Sequence, residues 1–509
     1  MKILDCTLRD GGYYTNWDFS PELVDTYIET LNNLPIDYIE IGYRSKIKPQ
    51  YMGEFFYCPD YVIKEIRLSS NKKISVMLDE KDVSIEDATE LLSPIIGLVD
   101  MIRVAVNPKN LVRAIGLAKV IKKMGFEVGF NVMYMSTWIE NKDFLSQIKK
   151  VDGVIDYFYM VDSYGGIYPN EVKEIIDIVK SKISTKLGFH GHNNLELGLI
   201  NTLTAIDCGV DIVDATITGM GRGAGNLKTE LLLTSLIAKN KIEFDFNALT
   251  KIVDSFSILQ QEYEWGTNLP YMVSGANSLP QKEVMDWVGK RYYSFNSIII
   301  ALSNQSKGVK DNLNLKVFSP EIKSKKALII GGGPSGMIHS ESIKRFLEKN
   351  EEIEVIHTSS KNASPYNNVK NKQIHCLAGN EGYRLESTLK KIDTKDRIAI
   401  LPPYPRVMGT YIPSFFKEKA FQLNEISITK VFKDSITAIA IQTALDMGVE
   451  EIFFVGYDGY DNAISNKELE LFNENEELFK ILKKSDLKFK SVLPTKYTSL
   501  PTTSLYALI

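Results

Sequence analysis

The feature that most constrains the fold is a regular alternation of short apolar runs with longer amphipathic stretches over residues 1–240. Apolar runs separated by amphipathic helices are typical of buried parallel strands. Helix starts are marked by Ser20-Pro21 and by Ser84 with Asp87 three residues later, both of which suit N-terminal caps. Strands are predicted at residues 3–8, 38–42, 74–78, 101–106, 127–133, 155–161, 186–189 and 212–217. Eight strand–helix units of this size predict an N-terminal (β/α)8 TIM barrel in the α/β class.

In a TIM barrel the catalytic side chains lie at the carboxyl ends of the strands. Many polar residues of this chain lie at or near the ends of the predicted strands: Arg9, Asp10, Glu40, Arg44, Asp79, Asn107, Asp162, His190, His192 and residues 221–226. An exposed loop charge is the ordinary explanation for any one of them. Their shared position at one rim favours a single polar site.

Two of the five histidines, His190 and His192, lie two residues apart after the seventh predicted strand. Side chains at this spacing point the same way on a strand, so both imidazoles face one side. Two structural histidines would give the same pattern. With Asp10 they could instead supply one carboxylate and two imidazoles to Mg2+ or Mn2+, leaving positions for a chelating 2-oxo acid. Arg9 could then stabilise the enolate, or form only a local ion pair with Asp10.

Four motifs resemble those of the DRE-TIM metallolyase superfamily, which includes hydroxymethylglutaryl-CoA lyase and 4-hydroxy-2-oxovalerate aldolase. They are LDCTLRDGG at 4–12, DSYG at 162–165 followed by Pro169, HGHN at 190–193 and GAGN at 223–226. The opening of the chain and its helical tail resemble most the aldolase branch, which cleaves 4-hydroxy-2-oxo acids to pyruvate and an aldehyde. The resemblance implies the same enolate chemistry for residues 1–240.

The resemblance also assigns roles to individual residues. It implies that Asp10, His190 and His192 hold Mn2+ or Mg2+, that Asn226 is a further ligand, and that Arg9 stabilises the enolate. Four further side chains are predicted to bind the 2-oxo acid substrate: Glu40, Arg103, Asn131 and Asp162.

The chain departs from the aldolase branch at one position. That branch has a catalytic histidine three residues after the aspartate, where this chain has Tyr13. Tyrosine has an ordinary pKa near 10, which makes it a poorer base at neutral pH. The candidates for proton transfer are therefore Tyr13 and three other tyrosines: Tyr14, Tyr43 and Tyr164. A Claisen-type condensing acyltransferase is the alternative for the barrel, although the sequence contains no recognisable CoA-binding signature.

A second α/β domain is predicted at residues 327–509, after a helical extension at 241–302 and a polar linker at 303–326. Its strands are predicted at 327–330, 353–357, 397–401, 427–431 and 451–455, as a Rossmann-like parallel sheet. The fingerprint Gly331-x-Gly333-x-Ser335-Gly336 follows the first of these strands and is predicted to bind a nucleotide or sugar nucleotide. The strand that ends at His357 lacks the carboxylate that an NAD site would place there.

The second domain also resembles bacterial motility-accessory and sialyltransferase-like domains. The resemblance lies in IIGGGPS at 329–335, ALDMGVEEI at 444–452 and VGYD at 455–458. It implies a sugar-nucleotide-dependent transferase in surface polysaccharide biosynthesis, or a partner without catalytic activity. These are the rivals to our first hypothesis, a metal-dependent carbon–carbon lyase acting on a 2-oxo acid.

Composition excludes several other classes of function. A net charge of -4 does not indicate the strongly basic character that is typical of nucleic-acid-binding proteins. No apolar run is long enough to predict a membrane span, and no signal peptide is recognisable. The four cysteines are scattered along the chain, so a cytoplasmic location is expected. A homo-oligomer is compatible with the sequence.

Overall fold

The chain folds into two compact units, Met1–Met285 and Asp286–Ile509. The computed structural model describes residues 1–239, 243–244, 246–289, 295–308, 313–320, 324–379, 381–389, 396–406, 408, 411–433, 435–460 and 466–509. No helix among these residues is both long and apolar enough to cross a membrane.

Eight parallel strands close into a barrel in the first unit, as the alternation predicted. They are β1 Lys2–Asp5, β2 Tyr38–Tyr43, β3 Lys73–Asp79, β4 Met101–Val106, β5 Glu127–Val132, β6 Tyr157–Asp162, β7 Lys186–Gly191 and β8 Ile212–Ala215. The barrel closes where β1 pairs with both β2 and β8. The fold class predicted from the sequence is confirmed for this unit.

Helices follow the strands and cover the barrel. They are α1 Thr7–Thr15, α2 Pro21–Asn32, α3 Glu54–Tyr57, α4 Asp60–Ser69, α5 Ile85–Leu92, α6 Leu111–Lys123, α7 Lys142–Gln147, α8 Pro169–Lys180, α9 Gly198–Asp207 and α10 Thr229–Ala238. The two predicted caps are present: the Ser20 side chain accepts from the Leu23 N–H, and Ser84 and Asp87 form a capping box. Three further helices follow: α11 Phe246–Tyr263, α12 Leu269–Ala276 and α13 Gln281–Gly289, the last of which spans the boundary between the units.

The first strand is shorter than predicted, because Asp5 ends it. The Asp5 carboxylate accepts the Thr7 N–H at 2.9 Å and three buried hydroxyls, from Thr7 at 2.5 Å, Tyr27 at 2.6 Å and Thr229 at 2.6 Å. These bonds turn the chain, and α1 begins at Thr7. Residues 7–8, predicted as the end of a strand, are therefore the start of a helix, and Cys6 is the residue before it.

The inward-facing side chains form layers, since every second residue of a strand points inside. Leu4, Tyr38, Met101, Tyr157 and Ile212 belong to one apolar and aromatic cluster. Two residues further along their strands come polar side chains, all buried: Glu40, Arg103, Tyr159 and Asp214. The barrel interior therefore changes from apolar to polar toward the carboxyl ends of the strands.

The second unit contains one parallel sheet in the strand order β13-β12-β11-β10-β9-β14-β15. Its strands are β9 Lys326–Ile330, β10 Glu354–His357, β11 Gln373–Cys376, β12 Arg397–Leu401, β13 Ala420–Gln422, β14 Glu451–Val455 and β15 Lys488–Ser491. Its helices are α14 Phe295–Ser306, α15 Ser335–Ile338, α16 Ser340–Lys349, α17 Glu381–Leu389, α18 Ile436–Asp446 and α19 Asn466–Leu482. The strand order reverses between β9 and β14. Strands β10 to β13 lie in order on one side of β9, whereas β14 and β15 lie on its other side.

Alternate residues of β9 pack on opposite faces of this sheet. Leu328 and Ile330 lie in one hydrophobic cluster with residues of α16, and Ala327 and Ile329 lie in another with residues of α18 and α19. Both faces are therefore covered, as expected for a parallel α/β sheet.

One predicted strand of this unit is wrong. Residues 427–431 form no strand, because side chains take up their backbone groups: Gln442 accepts the Ser427 N–H at 2.9 Å, and Thr429 accepts the Val431 N–H at 3.2 Å. The sequence also gave no prediction for β11, β13 and β15. The predicted boundaries of the extension, linker and second domain stay predictions, and parts of 241–302 and 303–326 lie outside the described residues.

The second unit buries two histidines that stack across neighbouring strands. The rings of His357 and His375 lie 4.5 Å apart and 8° from parallel, and Arg397 donates to His375 Nε2 at 2.9 Å. Burial lowers the pKa of His357 to about 3 and that of His375 well below its usual value.

We expect acid to destabilise the protein through this pair. Both imidazoles are uncharged in the folded state, while in the unfolded chain they take up protons below about pH 6.5. Above that pH the free energy of unfolding should have its full value. By pH 5.5 each histidine should lower it by about 1.4 kcal/mol. Urea unfolding followed by circular dichroism at pH 7.5 and 5.5 measures the loss. His357→Gln should reduce the pH dependence, whereas His339→Gln, at a partly exposed position, should not.

Candidate active site

The predicted ligand Asp10 lies on helix α1, directly above the polar layer of the barrel. Asp10 and Arg9 are both buried, and the Arg9 guanidinium pairs with the Asp10 carboxylate. Asn226 donates to Asp10 Oδ2 at 2.7 Å. Burial disfavours the charged carboxylate, but Arg9, the nearby imidazoles and Asn226 outweigh it and lower the pKa of Asp10. Asp10 is therefore an ionised acceptor at neutral pH.

His190 and His192 lie at the end of β7, with ring centroids 5.0 Å apart. His190 Nδ1 bonds the Asp214 carboxylate at 2.8 Å, and His192 Nδ1 bonds the Asp162 carbonyl at 2.7 Å. Because both partners are acceptors, each Nδ1 carries a proton. Burial lowers the pKa of His192 to about 3, so this ring is neutral at pH 7.

Asp10 and His190, two of the predicted metal ligands, are close neighbours. His190 Nε2 lies 3.6 Å from Asp10 Oδ2, a separation that an ion between them could bridge. The backbone of His192 pairs with that of Asn226, so the second imidazole and the amide are neighbours. Asn226 Oδ1 is buried and has no partner among the described residues. A set of carboxylate, amide oxygen and imidazole donors suits Mn2+ or Mg2+.

A different trio, Cys6, His190 and Asp214, also has ligand atoms within 4.8 Å of one another. Asp214 Oδ2 already accepts from both His190 and Arg103. Burial raises the pKa of the Cys6 thiol well above its usual value, so it stays protonated. The side of His190 that faces Asp10 is therefore the better metal position.

Beneath the site runs a continuous network of buried ions. Arg9 Nε donates to Glu40 Oε2 at 2.7 Å, and Arg103 Nη1 donates to the same oxygen at 3.0 Å. Arg103 also donates to Asn131 Oδ1 at 2.9 Å and pairs with Asp214. The network links Arg9 to His190 through charged groups only.

The structure gives the four predicted substrate-binding residues distinct positions. Glu40, Arg103 and Asn131 lie in the network, where they hold Arg9 and Asp214. The Asp162 carboxylate accepts the Gly165 N–H at 2.9 Å, and burial raises the pKa of Asp162 to about 6. Asp162 Oδ2 and Glu40 Oε1 are both buried without a partner among the described residues. Of the two residues, Asp162 is the one whose carbonyl bonds the His192 ring.

Asp214, which holds His190, was not among the predicted site residues. It lies in an apolar run, on the inward face of β8 two residues after Ile212. A signal was available, because an acidic residue at an inward strand position must be paired inside the barrel. The sequence does not say which strand it faces.

The four candidate tyrosines are placed differently. The hydroxyls of Tyr13 and Tyr43 lie 3.2 Å apart. Tyr14 donates to the Gly223 carbonyl at 2.8 Å, and Tyr164 packs against Tyr134 with ring centroids 5.3 Å apart. Tyr13 is held by Trp17, whose indole N–H donates to the Arg9 carbonyl at 2.8 Å. Of the four, Tyr43 interacts with Arg9, and Tyr13 lies within hydrogen-bond distance of Tyr43.

The glycine loop of the second unit is filled by its own chain. Gly333 N–H donates to the Gly456 carbonyl at 2.9 Å, and Ser335 N–H donates to Asp458 Oδ2 at 3.3 Å. A Cβ at Gly333 would lie 1.9 Å from that carboxylate oxygen, so this glycine makes room for Asp458. A Cβ at Gly336 would meet Asn362, which itself donates to the carbonyls of the loop. Close contacts within the protein therefore explain why glycine is present at these positions, without a bound nucleotide.

Comparison with known proteins agrees with the barrel. The HMGL-like family model matches residues 101–255. The 4-hydroxy-2-oxovalerate aldolase of Carboxydothermus hydrogenoformans is 32% identical over 259 residues, which are 50% of this chain and 75% of that protein. The oxaloacetate decarboxylase of Mycobacterium tuberculosis is 28% identical over 244 residues, 46% of this chain and 69% of that protein.

A solved structure is more similar in sequence. It is the crystal structure of the N-terminal domain of a Bacteroides vulgatus protein provisionally described as an aldolase. The two are 62% identical, and the alignment covers 59% of this chain and 99% of that one with a TM-score of 0.57.

We expect Asp214→Asn to weaken metal binding about 10–100-fold, because a hydrogen-bonded carboxylate fixes the tautomer and orientation of a ligating imidazole. Calorimetric titration with Mn2+ measures the affinity directly. Asp211→Asn is the matched control, since Asp211 lies on the same stretch but only accepts the Leu187 N–H at 2.9 Å. Equal affinities in both variants would contradict the role given to Asp214.

Proposed function

This chain belongs to the HMGL-like family, and on that premise we propose that its barrel is a divalent-metal-dependent carbon–carbon lyase acting on a 2-oxo acid. The proposal rests on one observation above all. Arg9 Nη2 is buried without a partner among the described residues, although Arg9 Nε binds Glu40 and Nη1 pairs with Asp10. A buried guanidinium with one free donor is a pre-oriented receptor for a developing oxyanion.

The finer proposal is cleavage of a 4-hydroxy-2-oxo acid to pyruvate and an aldehyde. The C4 hydroxyl loses its proton and becomes a carbonyl, the C3–C4 bond breaks, and the electron pair forms the enolate, which takes up a proton at C3. A divalent cation held by Asp10, His190 and His192 would polarise the 2-oxo group as a Lewis acid. Arg9 Nη2 would donate to the enolate oxygen, which carries more charge than the ketone it replaces.

The proton from the C4 hydroxyl needs an acceptor, and Tyr13 with Tyr43 is the nearest pair of phenols. Burial and the neighbouring Tyr13 raise the pKa of Tyr43, so Tyr43 stays protonated and can donate to its neighbour. Tyr13 would then act as a relay to solvent. A relay without a stronger base transfers the proton more slowly than a histidine would.

Decarboxylation of oxaloacetate is the second candidate, and the tyrosine at position 13 favours it. Loss of CO2 from a 3-carboxylate yields the same pyruvate enolate, but no hydroxyl proton has to be removed. Arg9 and the metal ligands would serve this reaction unchanged. A relative with that name is 28% identical to this chain.

For the second unit we propose binding of a nucleotide or sugar nucleotide at the crevice between β9 and β14. Support comes from the reversal of strand order there, the position where ligands bind in open parallel sheets. Such a ligand would have to displace Asp458 from the Ser335 N–H.

Calorimetric titration with UDP- and CMP-sugars tests this proposed site. Asp458→Asn should bind the sugar nucleotide more tightly than the wild-type protein. Equal affinity in the variant and the wild-type protein would count against the site.

We expect pyruvate release from 4-hydroxy-2-oxo acids or oxaloacetate to require Mn2+ or Mg2+ and to stop with a chelator. His190→Ala should lower the rate at least 100-fold at fixed metal, because one of the imidazole ligands is lost. His339→Ala, a histidine of the second unit, should keep the wild-type rate. Release that persists in chelator and in His190→Ala would refute the metal-dependent mechanism.

A change at Tyr13 should separate the two reactions. Tyr13→Phe removes the phenol, so aldol cleavage should fall at least tenfold while oxaloacetate decarboxylation changes little. Tyr13→His should raise the ratio of cleavage to decarboxylation, because imidazole is the stronger base near neutral pH. The ratio of the two kcat/KM values is the measurement; parallel losses in both reactions would exclude a specific proton-transfer role.

A further inference from the structure

A third arginine, Arg222, lies at the rim of the same site. It belongs to the loop between β8 and α10 that also carries Asn226. Its guanidinium carbon lies 5.5 Å from the centroid of the Tyr13 ring, and its charge helps to lower the pKa of His192. Arg222 is partly buried, and among the described residues no carboxylate pairs with it. It is therefore a cation that faces the site without an acidic partner.

The loop around Arg222 is held on both sides. Tyr14 donates to the Gly223 carbonyl at 2.8 Å, and the Gly225 N–H donates to the Arg222 carbonyl at 3.2 Å. A Cβ at Gly225 would lie 2.1 Å from the Gly219 carbonyl oxygen, and its φ of +80° suits only glycine without strain. The loop therefore presents Arg222 at a fixed position before any ligand arrives.

Two lysines in the loops after β2 and β3 are already paired with carboxylates. Lys81, whose charge interacts with Tyr13, pairs with Asp79 at 2.7 Å. Lys48 pairs with Asp82 at 2.8 Å. An anion that approaches Tyr13 would therefore find Arg222 available and Lys81 occupied.

Two phenols separate Arg222 from Arg9. Arg9 interacts with Tyr43, the Tyr43 hydroxyl lies 3.2 Å from that of Tyr13, and Arg222 covers the Tyr13 ring. A linear substrate with its 2-oxo group at Arg9 would extend along the two phenols, and its far end would reach Arg222.

We propose that Arg222 binds an anionic group at the end of the substrate remote from the 2-oxo group. The substrate would then be a 2-oxo acid with a second negative charge, on a carboxylate or a phosphate. The position of the 2-oxo group rests on the proposed function. Arg222 is suited to this role because a guanidinium can bind either anion with two parallel hydrogen bonds.

Substrate pairs that differ only in the remote charge test the proposal. One pair is 4-hydroxy-2-oxoglutarate and 4-hydroxy-2-oxovalerate, with a carboxylate and a methyl end. The other is 2-keto-3-deoxy-6-phosphogluconate and 2-keto-3-deoxygluconate. With Mn2+ present, kcat/KM for pyruvate formation should favour the charged member of at least one pair about tenfold or more, and the favoured pair identifies the anion. Arg222→Gln should remove most of that preference through KM, and Arg222→Lys should retain part of it.

Binding without turnover keeps this test independent of the lyase assignment. In calorimetric titrations of the Mn2+-loaded protein, 2-oxoglutarate should bind about tenfold more tightly than 2-oxovalerate, and Arg222→Gln should abolish the difference. Lys81→Gln is the matched control and should preserve it. If no substrate yields pyruvate but the binding preference depends on Arg222, the lyase proposal fails and the Arg222 proposal stands. No preference for a remote charge in either assay, or a preference that survives in Arg222→Gln, would overturn it.

Discussion

The buried ion network of Arg9, Glu40, Arg103 and Asp214, which holds His190 through Asp214, is the interaction on which the candidate site depends. Charges are costly to bury, and each member is acceptable inside the barrel only because its neighbours in the network pair with it. Arg103 contributes most to this balance, since its nitrogen atoms reach three acceptors on β2, β5 and β8. The position of Arg9 and the tautomer of His190 are thus set from below, before a substrate or metal arrives.

The short first strand has a comparable effect. Asp5 accepts hydrogen bonds from Thr7, Tyr27 and Thr229, and these bonds convert the expected end of a strand into the first turn of α1. Arg9, Asp10 and Tyr13 therefore project from a helix whose first turn is anchored to the barrel wall. A helix holds these side chains at fixed mutual positions, which is what oriented binding of a 2-oxo group requires.

The second unit buries polar groups for a different purpose. His357, His375 and Arg397 lie on the sheet and bind one another or neighbouring amides. The two buried imidazoles are the source of the pH dependence of stability that we expect. Asp458 fills the glycine loop that would otherwise offer N–H groups to a phosphate. A loop can therefore have the glycines of the fingerprint and still be filled by its own chain. The fingerprint alone does not distinguish such a loop from one that is open to a ligand.

The sequence by itself determined the barrel, the second parallel sheet and the rim that carries the site, because strand and helix periodicities are local properties of the chain. It also identified His190 and His192 as a pair, since their spacing alone places both rings on one side. The tertiary structure decided which groups meet across the barrel: Asp214 under His190, Arg103 between Glu40 and Asp214, and Arg222 over Tyr13. These contacts join residues from 24 to more than 200 positions apart. Their partners depend on the register of strands around the barrel, which no local pattern encodes.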